Sequence, residues 1–367
     1  MSSKLFTPWS IGDMVLTNRI GIAPMCQYSA AEGSMTDWHV QHLGNLSLSG
    51  AGMLVIEATG VTPEGRITPW CTGLWSDENE AAMKRVVDFV RTISPIRLGV
   101  QLNHAGRKAS AQRPWQGRGA LAADEGAWTT VAPSAIALAP GWPAPVALNR
   151  SGLDKLLDAY VAAAQRAARI GLDFIEMHST HGYLLSEFLS PLANQRSDEY
   201  GGSLENRMRF PLEVFDALRK AWPREKPIGA KISGTDFAPG GWMPEDAVVY
   251  ARELKARGCD YVTVSGGGVV LDAKVPVFPG YQVQYAEQVR RETGIATGSV
   301  GLIASAQQAE DIVASGKADF VSLARGMLFD PRWPWHAALD LGADVRYPPQ
   351  YERCNPKVWP GAKEWMA

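Results

Sequence analysis

The sequence predicts an α/β fold: a single (β/α)8 TIM barrel with an N-terminal hairpin and a long loop after the third strand. Two observations lead to this fold class. Eight short β-branched or apolar runs alternate with helical stretches, and a pattern of glycine, aspartate and strand recurs at Gly171, Gly258 and Gly316. Eight parallel strands joined by crossover helices close into a barrel. An open, doubly wound sheet is the alternative, but Pro24–Tyr28 lacks the glycines of a nucleotide-binding fingerprint.

The predicted elements follow one another in the order that a barrel requires. Leu5–Arg19 predicts a hairpin that closes the barrel floor, and Leu153–Ile170 and Ser203–Ala221 have helical patterns. The Gly-, Pro- and Trp-rich segment Gln112–Ala147 is long for a loop, so we expect a lid or wall. The eight predicted strands are Arg19–Pro24, Met53–Ala58, Arg97–Asn103, Asp173–His178, Ile228–Ser233, Asp260–Ser265, Ile295–Gly301 and Asp319–Arg325.

Composition narrows the classes of function. The 367 residues are 46% hydrophobic and 20% charged, which is typical of a globular protein. A net charge of −2 without a basic stripe argues against nucleic acid and anionic membranes as partners. No run is long enough to span a bilayer and the first residues lack an apolar signal core, so we expect a cytoplasmic protein. The four scattered cysteines argue against a disulfide framework or structural zinc.

Three proton-handling side chains gather where the predicted fourth strand ends. His178, His181 and Tyr183 follow one another closely in the segment His-Ser-Thr-His-Gly-Tyr. This end of a barrel strand is where TIM barrels carry out their chemistry. Two imidazoles can donate hydrogen bonds to one oxygen, and a phenol nearby can deliver a proton. A metal site is the competing interpretation, but no Asp, Glu or Cys converges as a third ligand, so we expect no metal.

The loops after the seventh and eighth strands predict a phosphate site. TIM barrels commonly hold phosphate on backbone N–H groups in these two loops. Gly301 permits a close approach of the backbone, and Arg325 adds a bidentate donor. We therefore expect a phosphorylated ligand.

These strand ends belong to longer motifs spread over nearly the whole chain. The chain resembles the Old Yellow Enzyme family of FMN-dependent ene-reductases, and more narrowly its bacterial branch of xenobiotic reductases and thermophilic-type enzymes. The motifs are Asn18-Arg19, Pro24-Met25-Cys26-x-Tyr28, Gln101 with His104-Ala-Gly-Arg-Lys108, His178-x-x-His181-Gly-Tyr183, Arg196-Ser-Asp-Glu-Tyr-Gly-Gly-Ser203-x-x-Asn206-Arg207, Phe278-Pro-Gly-Tyr281 and Arg353.

The resemblance implies an activity and a role for each site residue. It implies an enzyme with FMN as cofactor and NADPH or NADH as reductant, which reduces the C=C bond of α,β-unsaturated carbonyls, or nitro compounds, by ping-pong hydride transfer. His178 and His181 would hold the substrate's carbonyl oxygen, Tyr183 would supply a proton, and Tyr28 and Arg353 would line the substrate pocket. The implied FMN contacts are Ala23, Pro24, Met25, Cys26, Ala58, Gln101, Lys231, Gly301, Ala324 and Arg325.

Three positions depart from the family's pattern. Lys231 stands where arginine is usual, Ala324 replaces glycine, and Phe329 replaces a second arginine. The added methyl group at Ala324 is tolerable unless that residue needs a positive φ. Lysine at 231 keeps the charge but loses the planar fork of arginine.

The resemblance also implies an assembly. The whole chain, residues 1–367, would form one FMN-binding domain, with a tail at about 348–367 that reaches a neighbouring subunit of a homodimer or homotetramer. Trp359 or Trp365 in that tail would be placed to cover a neighbour's flavin.

Two other functions are compatible with a phosphate-binding barrel. A flavin-free lyase or aldolase acting on a phosphorylated substrate would need a Schiff-base lysine or metal ligands facing the barrel centre, and Lys231 is the only candidate. A flavin storage or sensing protein would need no proton donor, and the presence of Tyr183 beside two histidines argues against it.

Overall fold

The computed structural model describes residues 3–365, without the side chains of Lys363 and Trp365. Its strands are β1 (Trp9–Ile11), β2 (Met14–Leu16), β3 (Ile20–Ile22), β4 (Met53–Gly60), β5 (Arg97–Asn103), β6 (Val131–Ala132), β7 (Val146–Ala147), β8 (Phe174–Ser179), β9 (Ile228–Ser233), β10 (Tyr261–Ser265), β11 (Ala296–Ser299) and β12 (Phe320–Leu323). Its α-helices are α1 (Asp37–Ser47), α2 (Asp77–Ile93), α3 (Arg150–Ile170), α4 (Leu184–Leu189), α5 (Leu204–Ala221), α6 (Pro244–Ala256), α7 (Val283–Thr293), α8 (Ala306–Ala314), α9 (Arg325–Phe329), α10 (Trp333–Asp340) and α11 (Ala362–Trp365).

The central sheet is a closed barrel of eight parallel strands, in the order β3-β4-β5-β8-β9-β10-β11-β12 and back to β3. Each of the eight predicted strands corresponds to one of these, so the predicted TIM barrel is confirmed. Helices between the strands cover the outside of the barrel. None of the described helices combines the length and the apolar character that a membrane crossing needs.

Side-chain caps explain where the long helices begin. Asn149 accepts a hydrogen bond from the backbone N–H of Gly152, and α3 therefore starts at Arg150, three residues before the predicted start. Ser203 caps α5 in the same way, through the N–H of Asn206. Such caps satisfy N–H groups that have no partner within the helix.

The N-terminal hairpin closes the barrel floor, as predicted. Strands β1 and β2 pair antiparallel. Ile11, Met14 and Leu16 from the hairpin are buried in one cluster with Phe174 and Tyr261, the first residues of β8 and β10. Because these barrel residues lie at the amino-terminal strand ends, the carboxyl-terminal ends remain open for a site.

Aromatic rings and glycines interlock above this floor. A Cβ added at Gly99 would lie 2.3 Å from the Phe174 ring, and one at Gly229 would lie 2.2 Å from the Tyr261 ring. A Cβ added at Gly298 would likewise lie 2.2 Å from the Phe320 ring. In each pair the glycine lies on the neighbouring strand, so the absence of a side chain makes room for a ring that fills the barrel interior.

The C-terminal segment lies against the amino-terminal end of the barrel. Its 3-10 helix, Pro349–Cys354, follows Tyr347, whose ring is 4.6 Å from the ring of Trp335 in α10. Pro348 and Arg346 line a groove with hairpin residues and with Arg97 at the start of β5. The segment is therefore at the opposite end of its own barrel from the carboxyl ends of the strands.

We expect Gly229→Ala to destabilise the barrel by about 1–3 kcal/mol, the usual cost of forcing extra carbon into a packed core. The added methyl group would meet the Tyr261 ring, which is fully buried. The midpoint of denaturant unfolding measures the loss. Gly326→Ala is the matched control, because a Cβ there would meet no heavy atom within 4 Å. Equal midpoints for the two variants would contradict the interlocking of ring and glycine.

Candidate functional site

Strand register brings the site residues together in two rows inside the barrel. Ala58 pairs with Gln101, and Gln101 pairs with Glu176, across β4, β5 and β8. One step towards the carboxyl ends, His178 pairs with Lys231, across β8 and β9. All of these side chains are buried. The barrel thus carries charged and hydrogen-bonding groups in its centre, directly below the open end.

The two imidazoles predicted as a pair lie next to each other. The ring centroids of His178 and His181 are 5.5 Å apart. The N–H of Thr180 donates to Nδ1 of His178 at 3.4 Å, so a neutral His178 carries its proton on Nε2. Nε2 of His181 lies 2.8 Å from Oγ of Ser265, and a hydroxyl that donates there leaves the proton on Nδ1. Each ring then has one N–H without an acceptor among the described residues.

Burial keeps both imidazoles neutral. Desolvation, followed by the charges of His181, Lys231 and Lys108, lowers the pKa of His178 well below its usual value. Desolvation and the same two lysines lower the pKa of His181. A neutral imidazole can still donate one hydrogen bond. The pair can therefore bind an oxygen atom at neutral pH without becoming charged.

Tyr183 lies against the histidine pair as a protonated phenol. Its ring is 4.9 Å from the His178 ring and nearly perpendicular to it. Burial, with nearby Cys26, Tyr28 and Cys71, raises the pKa of Tyr183 well above its usual value. The hydroxyl group therefore keeps its proton at neutral pH and is available as a proton donor.

Lys108 holds the loop that carries His181. His181 has a left-handed backbone, with φ of 63°, which a non-glycine residue rarely adopts. The Lys108 ammonium donates to the carbonyl oxygens of His181, at 2.7 Å, and of Gly268, at 3.0 Å. A Cβ at Gly182 would lie 2.1 Å from the Gly268 oxygen, so only glycine fits this close approach. The sequence alone predicts no role for Lys108, which ends a short 3-10 helix after β5, or for Ser265, which ends β10.

A cavity of about 630 Å³ opens at the carboxyl ends of the strands. This volume is within the range of cofactor and small-molecule sites. His181, Lys231 and Ser265 line one side of it, and the predicted phosphate loops line the other. The predicted cofactor contacts among its lining residues are Ala23, Pro24, Lys231, Gly301, Ala324 and Arg325.

The remaining predicted contacts lie beside this cavity. Cys26, Tyr28 and Tyr183 pack against a cluster that contains Ala58. Trp128 and Trp142 of the long loop pack against the same cluster, so the loop is a wall of the site. Gln101 lies below, in the row described above, and Met25 packs against the main hydrophobic core.

The donors around the cavity fit a phosphorylated, anionic ring cofactor. The buried Lys231 ammonium makes no hydrogen bond or ion pair with any described residue, and an unpaired buried cation is costly. Arg325 is exposed at the cavity edge and has no partner within the described chain. Ala324 has a negative φ of −111°, so it does not adopt the left-handed backbone that would require glycine.

Arg353 is a predicted site residue that the fold of its own chain does not bring to the site. It is exposed in the C-terminal segment, at the opposite end of its own barrel. Trp359 is half-buried in the same segment, and the side chain of Trp365 lies outside the described residues. Within residues 3–365, no group of three or more His, Cys, Asp or Glu side chains is arranged to hold a metal ion.

Comparison with known proteins gives one consistent result. The model of the NADH:flavin oxidoreductase / NADH oxidase family matches residues 4–343. An NADPH dehydrogenase of Geobacillus thermodenitrificans is 42% identical over 355 residues, 96% of this chain and 99% of that protein. An NADPH dehydrogenase of Halalkalibacterium halodurans is 39% identical over the same shares. The structure of morphinone reductase superposes with a TM-score of 0.77 and 28% identity, over 98% of this chain and 93% of that one.

The buried His104 makes stability depend on pH. Burial lowers its pKa to about 4, against about 6.5 in an unfolded chain. Below the unfolded value the unfolded chain binds more protons than the folded protein, so this contribution to stability is lost as the pH falls from about 6.5 towards 4. When the pH falls from 7 to 5, the free energy of unfolding of the parent should therefore drop by about 2 kcal/mol more than that of His104→Gln.

Denaturant unfolding at the two pH values, in saturating FMN, measures this difference. His336→Gln is the matched control, because that side chain is exposed at the surface. If His104→Gln showed the same pH dependence as the parent, another group would be responsible for the acid sensitivity.

Proposed function

Because the chain belongs to the NADH:flavin oxidoreductase / NADH oxidase family, the Old Yellow Enzyme family, and is an FMN-dependent NAD(P)H oxidoreductase, we propose that it reduces the C=C bond of α,β-unsaturated carbonyl compounds. Nitro compounds are a second substrate class for the same site. The observation that carries the proposal is the pair of neutral imidazoles, His178 and His181, each with one ring nitrogen that no described residue bonds, beside the protonated phenol of Tyr183. Membership of this family overturns the flavin-free lyase alternative.

The residues around the cavity are proposed to hold FMN by its two ends. When bound, FMN would supply the chemistry of hydride transfer between NAD(P)H and the substrate. Lys231 provides a cation for the polar edge of the ring, and Arg325 with the backbone near Gly301 binds the phosphate. The other proposed contacts are Ala23, Pro24, Met25, Cys26, Ala58, Gln101 and Ala324.

The histidine pair is proposed to bind the substrate's carbonyl oxygen. Nε2–H of His178 and Nδ1–H of His181 donate to that oxygen and draw electrons away from the β-carbon. Donors aimed at a developing enolate act as an oxyanion hole does, and each contributes about 2.7–4 kcal/mol. Their neutral state matters, since an imidazolium would be costly to bury in this site.

Tyr183 is proposed as the proton donor to the α-carbon. Its hydroxyl keeps the proton because burial raises its pKa. Tyr28, Trp128 and Trp142 pack against the same apolar cluster as Tyr183, which would keep water away from this side of the pocket. NAD(P)H and the unsaturated substrate use the same pocket in turn, which gives ping-pong kinetics.

Stopped-flow measurement of the two half-reactions tests this assignment. In Tyr183→Phe, reduction of the enzyme by NAD(P)H should be nearly unchanged, while turnover of cyclohexenone slows by about 10²–10⁴-fold, the usual effect of positioned proton transfer. Reduction of a nitro group should be affected much less, because its protons go to oxygen and not to an α-carbon.

Two further variants complete this test. His181→Ala should cost about 2–4 kcal/mol in enone turnover and weaken the binding of phenols. Tyr160→Phe is the matched control, since it also removes only a buried phenol oxygen, here on α3. Parent-like turnover of cyclohexenone by Tyr183→Phe would move the proton donor to another group.

We also propose that Arg353 completes the substrate pocket of a neighbouring subunit. Its segment lies at the far end of its own barrel, so it cannot reach His181 of the same chain. A homodimer or homotetramer that exchanges these tails would bring the guanidinium to a second copy's site, where it would bind the substrate's polar groups.

Subunit mixing provides a direct test of tail exchange. Arg353→Ala should raise KM for cyclohexenone by about tenfold, as expected for the loss of about 1.4 kcal/mol of binding. Mixed oligomers of Arg353→Ala and Tyr183→Phe should regain activity, because one site then combines an intact Tyr183 with the partner's intact arginine. If mixing restores nothing although light scattering shows exchanged subunits, tail exchange is wrong.

A further inference from the structure

A buried carboxylate in the centre of the barrel has no part in the proposed mechanism. Glu176 lies in the middle of β8, between Phe174 and His178, and is 2% exposed. A carboxylate at such a position is costly unless several donors satisfy its oxygens. Its surroundings therefore need an explanation.

Three donors from two strands converge on Glu176. Nε2 of Gln101 donates to Oε1 at 2.7 Å. Oγ1 of Thr263 and the hydroxyl of Tyr261 donate to Oε2, at 3.1 Å and 3.4 Å. Burial raises the pKa of Glu176, whereas the charge of Lys231 and these donors oppose that effect. The donors and the cation together stabilise the charged form.

The carboxylate decides which way the Gln101 amide points. Gln101 and Glu176 are directly paired across β5 and β8, so their side chains cannot avoid each other. A carboxylate only accepts hydrogen bonds, so the NH2 group of Gln101 must face it. The carbonyl oxygen of Gln101 then points away from Glu176, and no described residue donates to it.

We propose that Glu176 is a positioning residue for the cofactor, which holds the Gln101 amide so that its carbonyl oxygen, and not its NH2 group, faces the flavin. The pyrimidine edge of a flavin presents a ring N–H between two carbonyl groups. An acceptor on Gln101 matches the ring N–H, and the Lys231 ammonium matches a neighbouring carbonyl group. This inference rests on the proposed contact between Gln101 and FMN.

Glu176 also acts on Lys231, the other residue proposed to face the flavin ring. Lys231 lies on β9 between His178 and Thr263 in register, and its buried ammonium has no direct ion pair. Burial lowers the pKa of Lys231, and the negative charge of Glu176 is the largest influence that raises it again. One carboxylate thus supports both the acceptor and the cation that face the same edge of the cofactor.

The test uses holoenzyme loaded with FMN that carries ¹⁵N at the ring N–H. In the parent, the proton NMR signal of this N–H should be shifted downfield and exchange slowly with water, because Gln101 accepts its hydrogen bond. In Glu176→Gln, two amides face each other and either orientation is allowed. The signal should then move upfield or exchange faster, and FMN should dissociate about tenfold more readily.

Two further variants separate orientation from general damage. Glu176→Asp keeps the charge but moves the carboxylate away from Gln101, so it should change the N–H signal in the same way. It provides the test if Glu176→Gln does not fold. Thr263→Val removes a different donor to Glu176 and leaves the Gln101 contact in place, so its N–H signal should match the parent.

The outcomes are distinguishable. Parent-like N–H signals and FMN affinity in both Glu176 variants would overturn the positioning role. A parent-like signal in Gln101→Leu as well would show instead that Gln101 does not contact the flavin, and the proposed cofactor contact would be wrong. A changed signal with an unchanged thermal midpoint in Glu176→Gln supports the inference, since a merely structural role would not move the ring N–H.

Discussion

The interlocking of aromatic rings with glycines at the barrel floor determines where the functional side chains lie. Side chains alternate between the two faces of a strand. If a ring at the floor points into the barrel, the side chain four residues later therefore also points inward, at the carboxyl end of the strand. Phe174 and Tyr261 are followed in this way by His178 and Ser265, and Phe320 by Ala324. A register shift of one residue would turn these side chains outward. The floor therefore sets the geometry of the site at a distance.

The site combines buried charge with backbone strain, and the surrounding structure stabilises both. Lys108 satisfies the carbonyl group of His181, whose left-handed backbone would otherwise be unfavourable. Glu176 offsets the charge of Lys231 across the barrel interior. The same burial that makes these charges costly keeps His178 and His181 neutral. Burial of the site would thus serve the proposed carbonyl binding and the proposed cofactor binding together.

The sequence predicts the barrel strands and the cluster of His178, His181 and Tyr183, because local patterns mark the strand ends. Lys108 lies within a sequence motif, but no local pattern indicates a role for Lys108 or for Ser265. Their contacts with His181 join residues 73 and 84 positions apart and depend on loop conformation. Glu176 had a visible signal, a charge inside an apolar strand, but its partner Gln101 became evident only from the strand register.

The sequence by itself determined the number and order of the strands, the resemblance to an FMN-dependent family, and the grouping of His178, His181 and Tyr183 at the end of the fourth strand. These depend on periodicity, composition and short motifs, which neighbouring residues carry on their own. Only the tertiary structure decided which nitrogen of His178 carries its proton, which end of the Gln101 amide faces Glu176, and on which side of its own barrel Arg353 lies. Each of these is a contact between distant segments, and closure of the barrel is what brings such segments together.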